Sequence, residues 1–254
     1  NEAGGYALDF DGDNDWVNIG AVHNDIQTIS FWIQADAVDG TRNVIDLNGA
    51  DYISIVGGEV TAVGITSPTY YINAVAGRRT ISPGTWYHVA VTTATPIDAG
   101  DADDVDIGRV VTAAADDEFF DGKIDEVRLW DDVRTNPQIL EYYKRSITNP
   151  YAEGSLVLYC RMNNGTGSVA FDHSAKRNHG SLEDMDVDED TEIEMDLRDA
   201  IALTPYDELV STCKRLLDSR ELRVGLENRA LEVISKRDQC AILLEAGVGK
   251  VDVE

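Results

Sequence analysis

Phe119-Phe120-Asp121-Gly122-Lys123-Ile124-Asp125-Glu126-Val127-Arg128-Leu129-Trp130 packs apolar and aromatic residues around a glycine near its start and three acids. β-Branched and aromatic side chains favour a pleated, half-buried surface, and Gly122 marks a bend, so the segment reads as a strand entering a sheet through a kink. From Asp125 to Trp130 a period of two puts Val127 and Leu129 on one face and Glu126, Arg128 and Trp130 on the other. One face is expected to be core and the other selectively polar. The same period sends the adjacent Asp125 and Glu126 side chains to opposite faces.

Upstream the cadence is the same. Gly, Asp, Asn and Pro recur at short intervals between β-branched and aromatic runs. Thr28 to Ala35 alternates Ile29, Phe31 and Ile33 against Ser30, Trp32 and Gln34. Asp51 to Val56 and Glu59 to Ile65 flank Gly57-Gly58, a hairpin signal, and Thr69 to Val75 and Trp86 to Thr93 read as two further strands. Strands with no helix between them cannot build parallel βαβ units, so two packed antiparallel sheets are expected. After Trp130, Asn136 is the expected N-cap of a short helix with Pro137 at its first position, and Leu156 to Met162 is another strand.

Four motifs, in order, resemble the laminin G-like, pentraxin-related modules of the concanavalin A-like lectin/glucanase superfamily. They are Ala7-Leu8-Asp9-Phe10-Asp11-Gly12-Asp13-Asn14-Asp15-Trp16-Val17, Ile29-Ser30-Phe31-Trp32-Ile33, Gly84-Thr85-Trp86-Tyr87-His88-Val89-Ala90-Val91, and Phe120-x-Gly122-x-Ile124-Asp125-Glu126-Val127-Arg128-x-Trp130. A later segment, with Asp172-His173-Ser174 and Asn178-His179-Gly180, extends the likeness to about residue 182. The resemblance implies an all-β jelly-roll sandwich over residues 1–182 and says nothing of the remainder, whose apolar spacing reads as a small α-helical C-terminal segment. Residues 183–203 are dense in Asp and Glu and read as an acidic linker. Residues 204–254 carry two amphipathic stretches, too small to stand alone, and are expected to serve attachment or oligomerisation.

Asp9, Asp11, Asp13 and Asp15 lie close together around Gly12 and Asn14, which favour a turn. Carboxylates gathered in a turn suit Ca²⁺, a hard cation that takes oxygen ligands. The resemblance implies a calcium site near this first turn, with Asp11, Asp15 and Asp125 as ligands; the alternative is an Asx-turn with solvated carboxylates. Asp98, Asp101, Asp103, Asp104 and Asp106 lack the terminal Glu and flanking helices of a calcium-binding helix-loop-helix and read as a solvated acidic face. Glycoside hydrolysis needs two carboxylates flanking a cleft, which Asp125 and Glu126 on opposite faces do not supply. No Gly-x-Ser-x-Gly occurs, and the four histidines form no catalytic constellation. Of the four tryptophans, at most one or two are expected at a ligand surface, because strand tryptophans are mostly core.

The expected function is non-catalytic recognition or adhesion on a cell or virion surface, with a glycan or surface protein as partner. Contacts are expected from Asp39, Arg42, Tyr70, Tyr71 and Asp101, in the loops Asp36 to Arg42, Gly64 to Tyr71 and Thr95 to Asp106, all at one edge of the sandwich. The alternative is a structural virion subunit, a decoration, spike or tail protein, whose C-terminal segment docks on a larger assembly or forms a homo-oligomer. Cys160, Cys213 and Cys240 are too few and of odd number for a disulfide scaffold and read as buried thiols, with a Cys213–Cys240 bridge left open. The sequence begins at Asn1 without Met or a signal-peptide pattern, which fits either a processed end or an internal cut.

Charge separates the remaining classes. The 254 residues carry a formal net charge of −26, with 47 Asp and Glu against 21 Lys and Arg, of which only 6 are Lys. Such a field opposes nucleic acid, whose binding needs cations to displace condensed counterions. No apolar run approaches the ~20 residues of a membrane span. Acid excess repels itself at low ionic strength and is screened near 1 M salt, where the Debye length is ~3 Å. An Asp-rich, Lys-poor chain is therefore expected from a halophilic source; calcium-loaded acidity and an ordinary acidic surface are the alternatives. The melting temperature is expected to rise from low to multi-molar salt, and an unchanged value would remove the halophilic reading.

Overall fold

The computed structural model describes residues 7–101, 105–111, 118–163 and 168–185. The expectations for Asp103, Asp104, Cys213, Cys240, most of the acidic linker and all of 204–254 lie outside these. In chain order the strands are β1 (Leu8–Asp11), β2 (Trp16–Gly20), β3 (His23–Ala35), β4 (Thr41–Asp46), β5 (Tyr52–Val56), β6 (Glu59–Val63) and β7 (Thr69–Ile72). They continue as β8 (Val75–Ala76), β9 (Tyr87–Ala99), β10 (Val105–Ile107), β11 (Asp121–Trp130), β12 (Leu156–Cys160), β13 (Val169–Ala170) and β14 (Gly180–Glu183), with one α-helix among the described residues, α1 (Asn136–Tyr142).

Two antiparallel sheets form a jelly-roll sandwich. The first has the order β1-β11-β3-β9-β7-β8, with β12 also paired to β11; the second runs β13-β14-β2-β10-β4-β5-β6. The hairpin at Gly57-Gly58 joins β5 to β6 as expected. Thr69 to Val75 is not one strand: Asn73 and Ala74 adopt φ of 51° and 59°, and the chain reverses there into β8. The helix cap also differs by one residue. Thr135, not Asn136, is the N-cap, and Gln138 Oε1 accepts hydrogen bonds from both its N–H and its hydroxyl.

Between the sheets, Phe10, Ile29, Phe31, Ile33, Val89, Val91 and Ile124 meet Val17, Ile45, Ile53, Ile55 and Val60. Burying each such side chain contributes about 1.5–3 kcal/mol, so this layer drives closure. The first sheet is covered on its outer face too. There Ile139 of α1 packs on Tyr71 and Ala90, and a second cluster joins Trp130, Ile147, Leu156 and Tyr159.

β11 organises the first sheet. It enters at Gly122, whose φ of +129° only glycine adopts readily and where a Cβ would collide with the Gln34 carbonyl oxygen of β3. Ile124 pairs with Ile33 and Asp125 with Trp32, but the next pair is Arg128 with Ser30, so Glu126 and Val127 together oppose Phe31. This is a β-bulge, with Glu126 at φ +54°. It overturns the strict alternation expected here. Val127 still enters the inter-sheet core, while Asp125, paired with Trp32, and Glu126 both lie on the helix-covered side.

Glu126 and Arg128 are each 1% exposed and form an ion pair. The carboxylate also accepts the Tyr159 hydroxyl at 2.6 Å and the Ser146 hydroxyl at 2.9 Å. The guanidinium donates to the carbonyls of Tyr142 at 2.9 Å and Arg145 at 3.0 Å, so the pair ties the chain after α1 to the sheet. A second tie is Asp172, whose carboxylate accepts the N–H groups of Tyr159, Ser174 and Asn178 and the Ser174 hydroxyl, clamping the loop before β14 to β12. Burial raises its pKa despite these bonds. Cys160 is a buried free thiol, its pKa raised by burial.

Replacing Arg128 by Met strands the Glu126 carboxylate without its countercharge, and the unfolding free energy measured in urea is expected to fall by about 3–5 kcal/mol. Adding Glu126→Gln is expected to restore part of that loss; a double variant no more stable than the single would show that the pair does not act as a unit.

Burial lowers the pKa of both His88 and His173 to about 3, with Arg128 and Arg161 respectively adding to the effect. Between about pH 6.5 and 3 the unfolded chain therefore binds more protons at these sites, and stability is lost as pH falls through that window. Each imidazole contributes a slope of about 1.4 kcal/mol per pH unit, while Asp172, shifted upward, acts in the opposite sense. The urea midpoint is expected to drop from pH 6.5 to 4.5, and less steeply in His88→Gln; equal slopes would mean that His88 takes up its proton without unfolding.

Candidate functional site

The long antiparallel pair β3–β9 defines two ends of the sandwich, because Ile33 pairs with Tyr87 at one and His23 with Ala99 at the other. The loop 36–40 leaves β3 at the Ile33 end, whereas Asp101 follows β9 at the His23 end. The Thr66 carbonyl accepts the Thr93 hydroxyl, placing the 64–68 loop along the strand toward the His23 end. The three loops therefore do not share one edge, since β3 spans 13 residues, or about 40 Å, between the two ends.

This separation divides the residues expected to contact a ligand. Asp39 is exposed and Arg42 half-buried at the Ile33 end, while Asp101 is exposed at the other. Tyr71 is not a surface residue: it is 9% exposed and packs beneath α1 against Ala90 and Ile139. Tyr70 is half-buried, its hydroxyl accepts the Ala62 N–H at 3.0 Å, and its ring lies under the Arg79 guanidinium.

The Ile33 end is acidic. Asp11 and Asp15 meet there in one turn: Asp11 Oδ1 accepts the N–H groups of Asp13 at 2.8 Å and Asn14 at 3.3 Å, and Asp15 Oδ2 accepts the Asp11 N–H at 2.9 Å. The Asp13 N–H, chiefly, lowers the Asp11 pKa. Opposite, Asp121 pairs with Asp11 across β1–β11, and its carbonyl accepts the Asp36 N–H. Desolvation and then Asp36 raise the pKa of Asp121, Arg42 opposes them, and Asp11 and Asp9 add to the rise. Arg42 pairs with Ile55, whose side chain is inward, so it faces the mouth between the sheets. Its Nη1 donates to the Thr41 carbonyl, and its buried Nε has no hydrogen-bond partner.

Asp125 does not join this group. It lies four residues along β11 from Asp121, the partner of Asp11, a separation of about 13 Å, and is fully buried beside Trp32. Among the described residues no three His, Cys, Asp or Glu side chains are grouped to hold a metal ion. Asp125 is thus not grouped with Asp11 and Asp15; Asp11 makes an Asx-turn, whereas the Asp15 carboxylate is buried and not solvated.

Next to the mouth, the outer face of the first sheet carries a row that the sequence did not single out. Asp9 pairs with Lys123 across β1–β11, and Lys123 with Gln34 across β11–β3. Trp86, one residue before β9, continues the register next to Gln34 and shares the face of His88. Lys123 is ion-paired to Asp9, and Gln34 Nε2 donates to the Gly84 carbonyl at 3.2 Å. Trp32 and Trp130 are buried, Trp16 is covered by the Arg109 guanidinium, and Trp86 is half-buried at the rim. The signal available in the sequence was the alternation Gln34–Trp32 and Trp86–His88, but which tryptophan lies beyond the helix cover depends on where α1 lands.

Residues 11–100 match the family described as the Concanavalin A-like lectin/glucanases superfamily, in its Laminin_G_3 branch. Among solved structures, a candidate carbohydrate binding protein from Bacteroides ovatus ATCC 8483 superposes with a TM-score of 0.52 at 19% identity, over 70% of this chain. This chain spans 57% of that protein's length. The native heptameric SAP-like pentraxin from Limulus polyphemus aligns at a TM-score of 0.40 and 15% identity, covering 53% of this chain and 79% of the pentraxin. No curated protein matches the sequence. The two-sheet topology agrees with the likeness of residues 11–100 to the laminin G-type branch of the concanavalin A-like lectin/glucanase superfamily.

Proposed function

We propose that this chain is a non-catalytic recognition module that binds neutral glycans at the Ile33 end of the sandwich. The observation that carries this reading is the row Asp9, Lys123, Gln34 and Trp86 beside the acidic mouth. A half-buried indole offers an apolar face for a sugar ring. A carboxylate, an ammonium and an amide beside it supply both acceptors and donors for hydroxyl groups. Asp39 and Arg42, on the neighbouring loop and strand, extend the contact surface. The surrounding Asp9, Asp11, Asp13, Asp36, Asp39 and Asp121 outnumber Arg42 and Lys123, a field that disfavours sulfated or sialylated ligands. Glu126 supports binding over hydrolysis, because it is 1% exposed with both oxygens hydrogen-bonded. A recognition module of this kind acts outside the cell, on a cell or particle surface; among the described residues no helix is long and apolar enough to cross a membrane.

A glycan array probed in high salt is expected to return neutral oligosaccharides and not sulfated ones. Titration calorimetry with a positive glycan is expected to show at least tenfold weaker binding for Trp86→Ala, unchanged binding for Trp16→Ala, and no effect of calcium or a chelator. Unweakened binding by Trp86→Ala would move the site elsewhere, and chelator-sensitive binding would restore calcium to the mechanism.

A further inference from the structure

The outer face of the first sheet is polar where α1 covers it. Ser30 on β3 pairs with Arg128 on one side and Ala90 on the other, Thr28 one row away pairs with Trp130, and Trp32 in the opposite direction pairs with His88. Beneath α1 a cavity of about 10 Å³ is lined by Ser30, His88, Arg128 and Trp130, with Gln138 and Ile139 of the helix. Those first four residues are 1–3% exposed. In each, one polar atom makes no hydrogen bond: Ser30 Oγ, His88 Nδ1, Arg128 Nε and Trp130 Nε1. Arg134 also lines the space, but its unbonded Nε lies 3.5 Å from its ion-pair partner Asp132 Oδ1. Four other buried polar atoms around one small space without partners is an arrangement that folded proteins avoid unless something satisfies them.

We propose that this cavity is the site of a single internal water molecule. It accepts hydrogen bonds from the Trp130 indole N–H and the Arg128 Nε–H, and donates its own two protons to Ser30 Oγ and His88 Nδ1. The count closes, because water offers two donors and two acceptors. The indole and Nε can only donate, a hydroxyl oxygen can accept, and a neutral imidazole accepts on the nitrogen that lacks hydrogen. His88 is held neutral by burial, with its pKa lowered to about 3. The space is that of about one water sphere, and internal waters characteristically make two to four such bonds. Charge argues the same way: Arg128 is already neutralised by Glu126, so an anion would add an uncompensated buried charge. The water would join β3, β9 and β11 at the point where the helix crosses them. This inference does not depend on glycan binding.

Deuterium magnetic relaxation dispersion on the full chain counts long-lived internal waters. The wild type is expected to hold one more than Ser30→Val, whose additional methyl group occupies the space, and equal counts overturn the proposal. If Ser30→Val does not fold, a high-resolution crystal structure of the wild-type chain grown in bromide decides the matter. One peak without anomalous signal, within hydrogen-bond distance of all four atoms, supports the water; no peak, or an anomalous bromide peak, overturns it.

Discussion

Glu126 and Arg128 stand two residues apart on one strand, out of water, and meet on the helix-covered side of the first sheet. Removing two charges from water costs several kcal/mol for each ion. Here the cost is offset by their mutual attraction and by hydroxyls and carbonyls that occupy the remaining bonding positions. The carbonyls belong to Tyr142, the last residue of α1, and to Arg145 just beyond it, so α1 is held over the outer face of the first sheet. That cover makes Thr28, Ser30, Trp32 and His88 interior residues although they point away from the main core.

The sheet therefore has two interiors of different chemistry. Between the sheets the contacts are aliphatic and aromatic, non-directional, and stabilise in proportion to the area buried. Under the helix the contacts are directional. Thr28 Oγ1 donates to the Asp132 carbonyl and accepts the Arg134 N–H, and Trp32 stacks on Tyr143 with His88 edge-on. A polar layer of this kind adds less hydrophobic stabilisation but defines one position for the helix, since a shift of one residue would leave buried donors and acceptors unmatched.

The position of the helix in turn limits which part of the outer face stays uncovered. Along β3 and β9, the row of Trp32 and His88 lies beneath the segment after α1, and the next row, Gln34 and Trp86, lies beyond it. The acidic turn at Asp11 and the mouth around Asp121 and Arg42 border that uncovered row. Rigid strands carry every polar group of the row except Trp86, which sits one residue outside β9. For the proposed glycan site, side chains carried on strands would reduce the ordering cost of binding.

The amino-acid sequence by itself determined the strand content, the Gly57-Gly58 hairpin, the kink at Gly122 and the two-sheet sandwich. Each of these follows from local properties: a period of two, turn residues, and a glycine where no side chain fits. Asp11 and Asp15 in one turn were legible for the same reason. What the tertiary structure alone decided was everything that depends on register between distant strands. Asp125 came to share a side with Glu126 because two residues of β11 oppose one of β3. Tyr71 became interior because α1 folds over β7, Asp125 was parted from Asp11 by four positions along β11, and the loop 36–40 and Asp101 were sent to opposite ends. An alternating pattern tells which residues share a face, but register and bulges arise from pairing between segments far apart in the chain, and no local pattern encodes where those segments meet.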